Sequence, residues 1–190
     1  MLLLAPEIKA VCFDAFGTLV EIADRRHVGA RLMRLAPKDV RSNLKRRLLV
    51  EDRPPEHWGS MIVNGSLDNE LNELTTDWKA ELISVRMRPR MDLIWRTLRG
   101  RGLGLGVCSN LAAPFGPPVL RALPDKPDVT IFSYQAGLVK PEPEIYAEVI
   151  RSFDLPAEHI LFVGDTKSAD VDGPAAAGMP SMLISHFEPT

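Results

Sequence analysis

The chain contains few cysteines, few aromatic residues and no long apolar run. Among its 190 residues are two cysteines, and aromatic residues make up 6%. Because two cysteines are too few for a disulfide framework or a cysteine-ligated metal site, we expect Cys12 and Cys108 to be core thiols in a reducing cytoplasm. No run reaches the roughly 18 apolar residues of a membrane span, and the apolar opening 1–6 is too short for a signal peptide. We therefore expect a cytoplasmic protein with no membrane partner.

A strong excess of charge of either sign is also missing. The formal net charge is −2, so the composition gives no indication of a nucleic-acid partner. Hydrophobic residues at 45% and charged residues at 25% are typical of a globular protein, and the length fits a core domain with a small insert. The oligomeric state stays open, with a homo-oligomer among the alternatives.

Short apolar runs alternate with helical patterns along much of the chain. Buried strands are predicted at 8–13, 103–108, 129–133, 160–163 and 181–184. Helices are predicted after Pro89 and over 143–153, each with a proline near its start. This alternation predicts an α/β fold in which a parallel sheet has helices on both faces.

The stretch from residue 21 to residue 88 is predicted to be a helical insert. Its apolar residues recur at roughly helical spacing in two groups: Leu32, Leu35, Val40, Leu44 and Leu48, and then Leu67, Leu71, Leu74, Trp78 and Leu82. We expect these helices to form a small cap on a core domain made of residues 1–20 and 89–190.

Polar residues stand at the ends of three predicted strands, namely Asp14, Ser109 and Asp165. A single Asp or Ser in such a place is more often a turn former, but ligands of open parallel sheets bind at this edge. Two carboxylates there suit Mg²⁺, which would offset the repulsion between a nucleophilic carboxylate and an anionic phosphate. Lys140, in a loop after Gly137, would supply a further cation.

Four segments in this order resemble the motifs of the haloacid dehalogenase (HAD) superfamily. They are 13–19, 108–110, 140–146 and 163–178, and the first of them reads Phe-Asp-Ala-Phe-Gly-Thr-Leu. The resemblance covers residues 8–185 apart from the insert, which lies where the family places a helical lid. It implies a Rossmann-like core with a helical cap, and a hydrolase that acts on a small anionic, phosphorylated substrate.

The resemblance implies a catalytic or binding role for several residues. Asp14 would be the nucleophile, and its attack would give an aspartyl-phosphate intermediate. Lys140 would balance charge, and Ser109 and Asn110 would bind the transferring group. Thr18 would support the loop after the nucleophile and is also a candidate for substrate binding.

A Mg²⁺ site is implied by the same motifs. Asp14 and Asp165 would be ligands, and Phe16 would contribute its backbone carbonyl, which any side chain permits. Asp170 would hold the metal directly, through water, or by orienting Lys140.

Phe16 departs from the pattern of the family's phosphatases, which usually carry a second Asp at this place to protonate the leaving oxygen. General acid–base help is worth roughly 10²–10⁴-fold, so the substrate has a good leaving group, another group substitutes, or turnover is slow. Haloacid dehalogenases also lack this Asp, which leaves a 2-haloacid dehalogenase or a weakly active phosphate-binding regulatory module as alternatives. We favour a phosphatase because Asp165 would repel a haloacid's carboxylate unless a cation were bound.

Basic residues dominate the stretch 25–47 of the insert. They are Arg25, Arg26, Arg31, Arg34, Lys38, Arg41, Lys45, Arg46 and Arg47, against the single acid Asp39. This pattern fits either a solvated helix face or a cationic lid that attracts an anionic substrate. In the second case, Arg41 is our candidate for the substrate contact.

Overall fold

The computed structural model describes residues 4–60 and 68–187. Leu67 and the outermost residues of the predicted core domain lie outside these ranges. Within them the strands are β1 (Ala10–Phe13), β2 (Val20–Ile22), β3 (Val85–Met87), β4 (Gly104–Ser109), β5 (Val129–Phe132), β6 (Ile160–Gly164) and β7 (Ser181–Leu183).

The helices of the described ranges follow the alternation that the sequence predicts. In chain order they are α1 (Val28–Leu35), α2 (Lys38–Val50), α3 (Pro55–Ser60), α4 (Asp68–Ile83), α5 (Met91–Gly100), α6 (Gly116–Ala122), α7 (Ser133–Ala136), α8 (Pro143–Phe153), α9 (Gly173–Ala176) and α10 (Ile184–Phe187). Short 3₁₀ turns span Ala113–Phe115 and Ala157–His159, and a π-helical segment spans Lys167–Asp172. No helix among the described residues is long and apolar enough to cross a membrane.

Five strands form one parallel sheet in the order β5-β4-β1-β6-β7. The central strand β1 is bonded on both sides, so that Val11 pairs with Leu105 of β4 and with Leu161 of β6. Because all five strands run in one direction, their carboxyl ends meet at a single edge. The predicted α/β fold with a parallel sheet is confirmed.

Both faces of the sheet are covered, as its alternating side chains require. On β1, Val11 and Phe13 belong to one apolar cluster, which includes Trp95 of α5. Ala10 and Cys12 point the other way, into a cluster that includes Tyr146 of α8. Burying a large apolar side chain is worth about 1.5–3 kcal/mol, so these two clusters hold the strand ends in place.

The two cysteines are core residues, as predicted. Cys12 and Cys108 are free, fully buried and part of the same apolar cluster. Burial raises the pKa of the Cys108 thiol to about 12, and burial likewise raises the pKa of Cys12 well above its ordinary value. Both thiols are therefore protonated near neutral pH, which excludes them as thiolate nucleophiles.

The helices of the insert have an apolar cluster of their own. Leu32 of α1, Leu44 of α2, Trp58 of α3 and Trp78 of α4 are buried against one another. From the other part of the chain, Phe115 packs against both this cluster and the sheet. That packing is the arrangement expected for a cap, although the predicted boundaries at residues 20 and 89 stay a prediction.

The two ends of the insert correct the expectation that residues 21 to 88 are helical. Strands β2 and β3 pair antiparallel, with Val20 opposite Met87 and Ile22 opposite Val85. Each strand has three residues. Such short strands give no visible alternation of apolar and polar residues, so the helical pattern between them concealed this two-stranded pairing.

Candidate active site

The carboxyl edge of the sheet brings together side chains from four separate stretches of the chain. Asp14 directly follows β1, and its backbone N–H bonds to the Val163 carbonyl of β6 at 2.9 Å. Ser109 is the last residue of β4, Lys140 lies in the loop between α7 and α8, and Asp170 lies in the π-helical segment after β6.

Lys140 is the centre of this arrangement. Its Nζ atom donates to Asp14 Oδ1 at 2.7 Å and to Asp170 Oδ1 at 2.6 Å. The side chains of Lys140, Asp14 and Asp170 are only 2%, 10% and 1% exposed. A buried charge is tolerated only when it is paired, so the three groups depend on one another.

The pKa values of the central pair follow from burial and from mutual attraction. Burial raises the pKa of Asp14, and the Lys140 ammonium and a hydrogen bond with Ser109 oppose part of this rise. Burial by itself would lower the pKa of Lys140, but Asp14 and Asp170 raise it above its ordinary value. Lys140 is therefore a permanent cation here, and the ionised Asp14 is more basic, hence more nucleophilic, than an exposed aspartate.

Asn110 holds the backbone of Lys140, and Tyr146 holds the backbone next to Asp170. The Asn110 side chain accepts from the Lys140 N–H and donates to the Lys140 carbonyl, both at 2.8 Å. The Tyr146 hydroxyl donates to the Ala169 carbonyl at 2.6 Å, next to Asp170. These bonds give Asn110 a positioning role, while its predicted contact with the transferring group stays a prediction.

Three carboxylates form a cluster that fits a divalent cation. Asp14, Asp165 and Asp170 each offer an oxygen, and these oxygens lie within 4.8 Å of one another. Hard oxygen donors of this kind suit Mg²⁺. Gly17, at φ +85°, makes room for the cluster because a Cβ atom there would lie 2.0 Å from Asp165 Oδ2.

Asp170 is engaged on both of its carboxylate oxygens. Oδ1 accepts from Lys140 Nζ, and Oδ2 accepts from the Thr166 N–H at 2.9 Å. Asp165, by contrast, is exposed. Of the three roles predicted for Asp170, this geometry favours the orientation of Lys140.

A pocket of about 490 Å³ opens over these groups. Seven of the predicted residues line it, namely Asp14, Phe16, Ser109, Asn110, Lys140, Asp165 and Asp170. The volume is in the range of small-molecule sites.

Thr18 and Arg41 are not among the residues that line the pocket. Thr18 is fully buried, and its carbonyl accepts from Arg88 Nη1 at 3.0 Å, which fits its predicted support of the loop. Arg41 Nη2 donates to the carbonyls of Arg34 and Ala36, at 3.1 and 3.0 Å. Because these bonds tie its guanidinium to the end of α1, the structure does not bring Arg41 to the predicted substrate site.

Arg25 lines the pocket, although the sequence assigned it no role beyond the basic lid. It lies three residues after β2, in the link between β2 and α1. Recognition of the short strand β2 is the signal that would have placed Arg25 near the nucleophile.

Phe16 presents an aromatic ring where a proton-transfer group is expected. Its ring packs edge-on against Phe115, with centroids 5.3 Å apart, and Phe115 lies 6.5 Å from Trp78 of α4. Among the described residues that line the pocket, the acidic ones are the three of the carboxylate cluster, and none is a histidine. The pocket walls therefore offer no carboxylic acid or imidazole independent of that cluster.

An acidic pocket with a central lysine, at the carboxyl edge of a doubly covered parallel sheet, is typical of Rossmann-like hydrolases. The model of the haloacid dehalogenase-like hydrolase family matches residues 8–178. The chain belongs to this family, so the predicted family membership is confirmed.

Relatives and solved structures agree with this assignment. The chain is 27% identical to a phosphoglycolate phosphatase of Yersinia pseudotuberculosis, over 94% of this chain and 82% of that protein. A phosphoglycolate phosphatase of Escherichia coli is 32% identical over 47% of this chain and 36% of its own length. A HAD family enzyme of Bacteroides thetaiotaomicron, solved with magnesium and inorganic phosphate, has the same fold, with a TM-score of 0.68, 16% identity and 93% of each chain covered. A dehalogenase structure matches with a TM-score of 0.61 and 17% identity over 93% of this chain and 84% of that one.

Replacing Lys140 with methionine should leave two buried carboxylates without a counter-charge. We expect Lys140→Met to lower the free energy of unfolding by about 3–5 kcal/mol, as measured by urea denaturation. The matched control is Lys167→Met, because Lys167 pairs with Asp172 through side chains that are 74% and 54% exposed. The control substitution should lower the free energy of unfolding by at most about 1 kcal/mol. Equal losses in the two variants would contradict the role given to the buried lysine.

Proposed function

We propose that the protein is a Mg²⁺-dependent phosphatase of small phosphorylated metabolites, with Asp14 as its nucleophile. The observation that carries this proposal is the contact of Lys140 with both Asp14 and Asp170. Together with Asp165, these two residues form the cluster of three carboxylates. The similarity to phosphoglycolate phosphatases supports a phosphorylated substrate. The helical insert at 21–88 would be the cap over this site.

In the proposed reaction, Asp14 attacks the phosphorus atom. Lys140 binds Asp14 Oδ1, so we assign the attack to Oδ2. The bond from phosphorus to the leaving oxygen breaks, the leaving group departs with the electron pair, and an aspartyl phosphate forms on Asp14. The departed oxygen takes up a proton from water. A second water molecule then attacks the phosphorus atom, the bond from phosphorus to the Asp14 oxygen breaks, and inorganic phosphate leaves while the released proton passes to solvent, which restores the carboxylate. Ser109 and the Lys140 ammonium are placed to bind the phosphoryl oxygens.

A Mg²⁺ ion would be held by Asp14, Asp165 and the backbone carbonyl of Phe16, with Asp170 behind Lys140. When bound, this cation neutralises the repulsion between the Asp14 carboxylate and the phosphate anion. Three carboxylates against one buried lysine leave an excess of negative charge, which supports the need for a further cation.

Dehalogenation is the second candidate, and Phe16 is the observation that favours it. Halide leaves without a proton, so an aromatic ring in place of an acid costs a dehalogenase little. Asp165 counts against this candidate, because its exposed carboxylate lies close to the nucleophile and would repel a haloacid. A cation at Asp165 has a direct use in phosphoryl transfer, and we therefore rank the phosphatase first.

Asp14→Asn should abolish turnover of 4-nitrophenyl phosphate in the presence of Mg²⁺, because an amide oxygen is a poor nucleophile. The release of 4-nitrophenolate measures this, and the wild-type rate should fall to the blank when EDTA removes the metal. Unfolding by urea checks that the variant is folded. Metal-independent release of halide from a 2-haloacid, with no phosphate turnover, would instead identify a dehalogenase.

Phe16→Asp should speed the hydrolysis of alkyl phosphates, whose leaving oxygen needs a proton, by roughly 10²–10⁴-fold. Aryl phosphates with acidic phenols should gain far less, so the dependence of kcat/KM on leaving-group pKa should become shallower. Phe16→Leu is the matched control, because it removes the ring contact with Phe115 without adding a proton donor. A similar gain in both variants would mean that space, and not proton transfer, limits the wild-type enzyme.

A further inference from the structure

Arg25 reaches the pocket from a different part of the chain than the other charged residues that line it. Asp14, Lys140, Asp165 and Asp170 belong to the segments that follow the strands of the parallel sheet, whereas Arg25 belongs to the link between β2 and α1. Its charge therefore comes from the predicted insert.

The backbone on both sides of Arg25 is fixed to the end of α4. The Asp24 N–H bonds to Ser84 Oγ at 3.1 Å, and the Arg26 N–H bonds to Glu81 Oε1 at 2.7 Å. Glu81 is 4% exposed, so its carboxylate is a buried anchor for this link. The Arg25 side chain thus starts from a defined point on the pocket rim.

Arg25 and its neighbour Arg26 differ in how their charges are used. Arg26 donates to Asp24 Oδ2 at 2.7 Å and to Asp77 Oδ1 at 2.6 Å, which satisfies its guanidinium. Arg25 makes no ion pair and no side-chain hydrogen bond with any residue of 4–60 or 68–187. Its donors remain available to a ligand.

We propose that Arg25 binds a second anionic group of the substrate, a carboxylate, while the phosphoryl group lies on Asp14, Ser109 and Lys140. The guanidinium fork matches a carboxylate in bidentate geometry. A carboxylate is the better match than a second phosphate, because the one other cation among the described lining residues, Lys140, is already paired with Asp14 and Asp170 and does not balance a second dianion. The substrate class is then a small phosphorylated carboxylic acid, an inference that rests on the proposed phosphatase function.

Inhibition by phosphonates tests this assignment without any dependence on the leaving group. Phosphonoacetate and phosphonoacetamide differ only in a carboxylate and an amide, and each competes with 4-nitrophenyl phosphate. For the wild type, phosphonoacetate should bind more tightly than the amide. In Arg25→Gln, the inhibition constant of phosphonoacetate should rise roughly ten- to a hundred-fold. The preference for phosphonoacetate over phosphonoacetamide should then disappear.

Arg34→Gln is the matched control, since Arg34 is an exposed arginine of the same insert that does not line the pocket. It removes the same charge and should leave both inhibition constants unchanged. Equal weakening of the carboxylate and the amide in Arg25→Gln would overturn the assignment. Weaker inhibition of Arg25→Gln by methylenebisphosphonate alone would also overturn it, because this result would identify a second phosphate as the ligand. Failure of the proposed function itself would appear separately, as no turnover of 4-nitrophenyl phosphate by the wild type.

Discussion

The buried ammonium of Lys140 between Asp14 and Asp170 is the interaction on which the site depends. Two carboxylates that face one cavity at the end of a sheet repel each other, and burial increases the cost of each charge. Lys140 offsets both, with contacts of 2.7 and 2.6 Å. The loop of Lys140 is in turn tied to Asn110 at the end of β4, so charge compensation and strand order support each other.

Much of this arrangement could be predicted from the sequence, because it depends on strand ends. Apolar runs followed by Asp14, Ser109 and Asp165 predict a parallel sheet with a polar edge, and the structure has such a sheet with these residues at its carboxyl edge. An isolated loop lysine carries no signal of burial, so the family's motif is what distinguishes Lys140 from a surface lysine. The short strands β2 and β3 were missed, because three residues are too few to reveal a period.

Two side-chain roles also required three-dimensional information. Arg41 has the helical context of a lid residue, yet its guanidinium binds backbone carbonyls at the end of α1. Arg25 looks in sequence like one more charge of a basic surface, yet from the link between β2 and α1 it lines the pocket. Phe16 illustrates a further constraint, because its ring joins Phe115 and, through it, Trp78 of the insert. The same position serves packing between the two apolar clusters, and the described residues that line the pocket include no acid apart from the carboxylate cluster.

A crystal structure with Mg²⁺ and beryllium fluoride, which mimics a phosphoryl group on a carboxylate, tests the central claim most directly. The account predicts beryllium bonded to a carboxylate oxygen of Asp14, a metal ion between Asp14 and Asp165, and Lys140 still in contact with Asp14 and Asp170. Beryllium fluoride bound away from Asp14, or a site with no cation beside Asp165, would contradict it.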